Sequence, residues 1–199
     1  VKRLLAEKYG VSEVHSHIWN FKDFNIAHHI ESKVYLSLMD SSNSGQSGIR
    51  SQLAPTLLRF VDDNKNNFED VRMCEIGRVV SGLDDNNLAI ENHILSIALA
   101  STTKSEKDLY FELKTMLENI CESLVNTSVK YTGSATSNYY HPVNSTGITL
   151  LDGTVIGEMG IAHPQVRQSI CPKHNLVILE LDFEKLCNAE ENKYERAKV

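Results

Sequence analysis

The chain has 199 residues, with 20 Lys plus Arg against 26 Asp plus Glu, a formal net charge of −6 and 41% hydrophobic residues. This composition excludes a disordered chain, a collagen and a coiled coil. A chain of this size buries about 70% of its unfolded surface, and its mild acidity argues against nucleic-acid binding by bulk charge alone.

In chain order, residues 2–9 read as a short helix stopped by Gly10. Val11–Ile18 alternates apolar and polar and predicts a strand, after which Asn20 is expected to cap a helix running to Ile30. Val34–Met39 predicts a second strand, and the polar, glycine-bearing stretch 40–48 a loop. Ile49–Asn64 predicts an amphipathic helix that begins near, or kinks at, Pro55. Val71–Val80 and Asn92–Ala100 predict strands around a turn at 83–87, and Glu106–Val125 the longest helix. Strands follow at Val129–Tyr131, Gly147–Leu151, Thr154–Ile161 and Leu176–Leu181, with a hairpin signal at Asp152-Gly153 and a helix opened by Pro164. Hairpin-joined strands with helices between them, and no regular βαβ alternation, predict an α+β fold with a largely antiparallel sheet.

The four cysteines, at 74, 121, 171 and 187, have no C-x-x-C spacing. They are expected to be reduced, partly buried thiols of a cytoplasmic protein rather than a disulfide framework. The longest apolar run, Ile94–Ala100, is interrupted by Ser96 and falls well short of the roughly 20 residues a spanning helix needs, so no membrane association is expected. The first residue is Val, and no secretory leader is recognisable at the start; this suggests a piece of a longer chain or a trimmed one.

Local motifs point to no chemistry of their own. There is no G-x-S-x-G, no G-x-x-x-x-G-K and no G-x-G-x-x-G. His15 and His17 share one face of the predicted strand, a pattern that suits a metal but equally suits a solvated strand face. His163 stands where it either caps the helix opened by Pro164 or simply marks its start. Glu75, Glu158 and Glu180 all fall on predicted strands. Spacing leaves open whether they converge as paired carboxylates or lie apart on the surface.

The order of the segments is more specific than any one of them. SGIRSQLAPTLLRFVDDNKN (47–66), VRMCEIGRVV (71–80), DLYFELKTMLENICESL (108–124), the Tyr140-His141-Pro142 segment, LDGTVIGEMGIAHPQV (151–166) and LVILELDFEKL (176–186) follow GVSEVHSHIW (10–19). In that order they resemble the phenylalanyl-tRNA synthetase beta subunit over nearly the whole chain. The resemblance implies a class II aminoacyl-tRNA synthetase-like antiparallel sheet flanked by helices, forming one catalytic-like domain over 1–187. Residues 188–199 would be a polar tail or the start of a linker.

The resemblance also implies a part in protein biosynthesis without chemistry of this module's own. Class II activation needs an Arg on the second-motif strand and a G-x-G-x-x-R third motif to hold the triphosphate, because such cations meet the charge that develops at phosphorus. Here the candidate strand reads Arg72-Met73-Cys74-Glu75, an Arg-x-x-Glu where Arg-x-Glu is expected, and no third motif is present. No catalytic, cofactor or metal residue is therefore assigned; ATP and Mg would belong to the parent ligase complex. The implied partner is the alpha subunit, with tRNA reached through the assembled complex. Arg50, Pro55 and Leu57, together with the helix at 106–125, are the candidate subunit contacts. The alternative is a stand-alone degenerate paralogue that binds an amino acid or related small molecule without activating it. Its expected pocket would draw on Asn138, Tyr139, Tyr140, His141, Glu158 and His163.

Overall fold

A computed structural model describes residues 1–37 and 48–189. Among them, seven strands form one sheet in the order β1-β4-β5-β9-β8-β7-β6: β1 (Ser12–Glu13), β4 (Asp70–Leu83), β5 (Ala89–Ser101), β6 (Val129–Thr132), β7 (Tyr140–Leu150), β8 (Val155–Ala162) and β9 (Asn175–Asp182). Every neighbouring pair is antiparallel except β1 with β4. A separate small pair joins β2 (Trp19–Asn20) to β3 (Gly48–Ile49). The helices are α1 (Lys2–Tyr9), α2 (Lys22–Ala27), α3 (Ala54–Asn64), α4 (Glu106–Val125), α5 (Pro164–Ile170) and α6 (Phe183–Cys187). The expected α+β architecture with a mainly antiparallel sheet and flanking helices is what forms.

The sheet is buried on both sides. On one face Cys74, Ile97, Leu99, Val177 and Leu179 pack with Leu5 of α1 and with Leu109, Leu113, Met116, Leu117 and Ile120 of α4. On the other, Val71, Ala98, Ala100, Leu176 and Ile178 pack with Leu57, Leu58 and Val61 of α3 and Val166 and Ile170 of α5. Two covered faces explain why β9 reads Leu-Val-Ile-Leu rather than alternating. Cys74, Cys121 and Cys171 are buried free thiols, with pKa values pushed up by burial to about 11, 12 and 11, and Cys187 is exposed. Among the described residues no helix is long and apolar enough to cross a membrane.

The elements defined by local chemistry form where expected. Gly10 closes α1 at φ 62, its N–H donating to the Ala6 carbonyl and the Val11 N–H to the Leu5 carbonyl. α4 begins at Ser105, whose side chain accepts from the Asp108 N–H, and ends at Asn126 in the left-handed region. The hairpin turn between β7 and β8 passes through Gly153 at φ 93.

The N-terminal third departs from expectation. The predicted strand 11–18 shrinks to β1, because Ser16 turns inward to Glu75 and draws residues 15–18 out of the ladder. His15 and His17 therefore share no strand face. His15 pairs with Glu13 instead, and among the described residues no group of three or more His, Cys, Asp or Glu is placed to hold a metal ion. Asn20 lies in β2 rather than at a helix cap, and its Oδ1 accepts from Asn25 Nδ2 at 2.9 Å; α2 is only six residues long. Among the described residues of the predicted strand 34–39, Ser37 alone makes a bridge, to Gly48. Residues 38 and 39, most of the predicted loop, and the tail from 190 lie outside the described residues. α3 starts at Ala54, beside Pro55 as expected, because Ile49 is paired with Trp19 and Pro55 occupies the first turn.

Leu117 is fully buried in the α4 side of the core, whereas Phe111 on the same helix is 52% exposed. Leu117→Ala is expected to cost about 2–5 kcal/mol and Phe111→Ala no more than about 0.5 kcal/mol, as measured by urea unfolding.

Candidate functional site

Glu75, Ser96, Glu180, Glu158 and Gly147 are successive cross-strand partners along β4, β5, β9, β8 and β7. Directly opposed residues project from the same face, so the three carboxylates form one row across the sheet. They share the α3 face with Ala98 and Ile178, two residues further along their strands. The row begins where the apolar cover of that face ends.

Each carboxylate in the row holds a different segment of chain. Glu75 and Arg50 are paired at 3.2 Å, with both side chains only 3% exposed. Ser16 Oγ lies 2.8 and 2.7 Å from the two Glu75 oxygens. Arg50 spends the rest of its fork on the Arg78 and His17 carbonyls and on Ser16 Oγ. Burial lowers the Arg50 pKa, and the Glu75 charge opposes that shift. Gly77 leaves room for this pair: a Cβ there would stand 2.5 Å from Arg50 Nη2.

Glu180 caps α3, which has no side-chain cap of its own. Its Oε2 accepts from the Leu53 N–H at 2.9 Å and the Ala54 N–H at 2.5 Å. Burial pushes its carboxyl up to about 7 against the pull of those two amides, and the neighbouring Glu158 charge adds to the rise. Glu158 accepts from the Thr136 and Ser137 N–H groups and from both hydroxyls, which seats the chain before β7 against the sheet. Gln52 Nε2 then bridges Ser137 Oγ and the Tyr139 hydroxyl.

Two hollows flank this network. One, of about 510 Å³, is walled by Lys33, Tyr35, Ser51, Gln52, Thr136 and Asn138. The other, of about 240 Å³, is walled by Ser137, Tyr139, Glu158, Glu180, Asp182 and Lys185.

The residues expected in a pocket separate accordingly. Glu158 and Tyr139 meet at the smaller hollow, and Asn138 lies in the wall of the larger. There its amide bonds the His29 carbonyl and the Glu31 N–H. Tyr140 is buried and donates to the Glu158 carbonyl. Burial drives the phenol pKa values of both tyrosines well up. His141 and His163 line neither hollow. His141 Nδ1 accepts from the Val143 and Asn144 N–H groups within an irregular stretch of β7, and His163 caps α5 by accepting from the Gln165 N–H.

The candidate subunit contacts need correction. Arg50, Pro55 and Leu57 are all buried inside the chain, by the Glu75 pair in the first case and by the packing of α3 in the others. On α3, Asp63 is exposed, whereas Arg59 is half-buried with its guanidinium 4.1 Å from the centre of the Phe21 ring. Gln52, Thr136, Ser137 and the capping role of Glu180 escape sequence reasoning. A carboxylate inside the apolar run of β9 was the one available signal.

A sequence profile described as phenylalanyl tRNA synthetase beta chain CLM domain matches residues 1–183. The chain belongs to this family. It is 30% identical over 149 residues to the phenylalanine–tRNA ligase beta subunit of Syntrophus aciditrophicus, covering 70% of the chain and 18% of that protein. It is 28% identical over 162 residues to the beta subunit of Syntrophotalea carbinolica, covering 77% and 20%. The match to the Leptospira biflexa beta subunit, 26% identical, runs over 192 residues, 94% of the chain and 24% of the relative. The chain thus spans about a fifth of the length of the curated relatives it matches.

The Arg50–Glu75 pair yields a direct test. Arg50→Met leaves a buried carboxylate without its counter-charge and is expected to cost about 3–5 kcal/mol. Adding Glu75→Leu is expected to restore a large part of that loss. Urea unfolding of the two single variants and the double variant, closed as a cycle, measures the coupling.

Proposed function

We propose that the chain is a non-catalytic, class II synthetase-like module of a phenylalanine–tRNA ligase beta subunit, whose task is to dock the alpha subunit and support assembly of the tRNA-charging complex. Membership in the beta-chain CLM family over residues 1–183 supports the placement in that subunit. The observation that carries the non-catalytic reading is the cross-sheet row. A class II-like site must receive the triphosphate of ATP on a sheet face furnished with cations. Here that face bears Glu75, Glu180 and Glu158, and the Arg50 beside them is buried and committed to Glu75, Ser16 and two carbonyls. Glu75 consumes the one cation of the row and Glu158 is taken up by Thr136 and Ser137, so the face offers a polyphosphate no free counter-charge among these residues. ATP and Mg are accordingly assigned to the parent complex, and tRNA contact to the assembled particle.

On this reading residues 1–187 act as one unit, and it works in the cytoplasm, where tRNA is charged for translation. The outward faces of α3 and α4 are the docking surfaces, with the exposed Asp63 and Phe111 as contacts in place of the buried Arg50, Pro55 and Leu57. The polar cleft of about 510 Å³ favours a second reading, a binder of a small polar molecule, because its volume falls within the range of ligand sites.

Co-expression with the phenylalanine–tRNA ligase alpha subunit of the same organism is expected to give a single complex on size-exclusion chromatography; separate elution overturns the docking role. Purified alone, the chain is expected to catalyse no phenylalanine-dependent exchange between pyrophosphate and ATP. Exchange above the protein-free blank would overturn the non-catalytic reading. Calorimetric heat on titration with free amino acids would favour the second reading.

A further inference from the structure

Glu158 on β8 and Glu180 on β9 are directly opposed in the sheet and project from the same face. Their hydrogen bonds are unequal. Both oxygens of Glu158 are occupied by N–H and O–H donors from Thr136 and Ser137. Glu180 receives the Leu53 and Ala54 amides on Oε2 alone, and among the described residues no protein group donates to its Oε1. A proton on Oε1 therefore leaves both amide bonds to α3 intact. Its loss sets a second negative charge beside Glu158 in a partly enclosed hollow.

The other charged and titratable groups around Glu180 do not neutralise that second charge. Arg50, before α3, is bound to Glu75, two strands from Glu180 along the row. Lys185 of α6 is paired with Asp182 at the end of β9. Tyr139 and Tyr140 are buried phenols whose raised pKa values keep them neutral. α3 has no acidic residue in its first turn, so Glu180 is the carboxyl group that its N-terminus meets.

We infer that Glu180 carries a proton beside the Glu158 carboxylate in the folded chain, and that loss of this proton, which sets two like charges side by side, loosens the seat of the first turn of α3. The segment controlled is the one that carries Gln52 and walls the larger hollow, so pH acts on the shape of the cleft and on the N-terminal end of α3 together. The rise of the Glu180 carboxyl to about 7 sets the pH range. The folded state then holds a proton that the unfolded chain releases in the ordinary carboxylate range. Stability from this pair is complete below that range and is lost as pH rises through about 7.

The test compares urea unfolding of the wild-type chain and Glu180→Gln from pH 5 to 8. The wild-type unfolding constant, taken relative to that of the variant, is expected to rise by up to about tenfold per pH unit between about pH 5 and 7 and to level off above. Parallel profiles for the two proteins overturn the inference, because a purely structural cap loses stability equally at every pH. Carbon-13 NMR of the Glu180 carboxyl in the wild-type chain and in Glu158→Gln decides independently, even where Glu180→Gln does not fold. A wild-type midpoint near neutrality that drops in Glu158→Gln is the expected result; a wild-type midpoint in the ordinary carboxylate range, or one that Glu158→Gln leaves in place, overturns it.

Discussion

The buried pair of Arg50 and Glu75 is the contact on which the arrangement of the α3 face depends. It joins three stretches of chain far apart in sequence: the segment at 15–18, the segment leading into α3, and β4. Its backbone takes part as well, since the Arg50 N–H donates to Ile18 O and its carbonyl accepts from the Val80 N–H. Arg50 thereby carries the small β2–β3 pair onto the edge of β4. A buried ion pair gains little net stability, because both charges surrender water. What it supplies here is position, since the planar guanidinium fork accepts only one arrangement of Glu75, Ser16 and the two carbonyls.

From that anchor the sheet acquires two unlike faces. On the α4 side, Cys74, Ile97 and Leu179 continue the core at the level of the carboxylate row. On the α3 side, the same strands pass from Met73 to Glu75, from Ala98 to Ser96 and from Ile178 to Glu180. The change falls at the N-terminus of α3, where the helix stops covering the sheet and its free amides need an acceptor. Glu180 supplies that acceptor, and the chain at 136–139 closes over Glu158 beside it. The polar row is thus a consequence of where α3 begins, and α3 begins where Arg50 holds the chain before it.

A carboxylate row built to hold backbone amides and hydroxyls suits a structural scaffold better than a phosphate-handling site. Glu75 and Glu158 are occupied by the protein's own donors, Glu180 holds the start of α3 through Oε2, and the cation of the row is consumed internally. This internal satisfaction is what the proposed scaffold role rests on, beside membership in the beta-chain CLM family.

The sequence by itself determined the elements whose signals are local. The apolar stripe and caps of α4, Gly10 after α1, the Asp152-Gly153 turn and Pro164 at the start of α5 all rest on contacts within a few residues. The ordered motifs likewise carried the family, and the succession of hairpin-joined strands and helices carried the α+β class. Residues 11–30 and the site were not legible in the same way. The ladder at 11–18 is broken by Ser16 reaching Glu75, a contact across 59 residues. Glu180 caps a helix 126 residues away. Strand register aligns Glu75, Glu180 and Glu158, and register follows from how whole strands pack. Tertiary structure alone decided which carboxylates meet, which arginine is consumed and which helix residues face outward, because each depends on partners that spacing along the chain does not bring together.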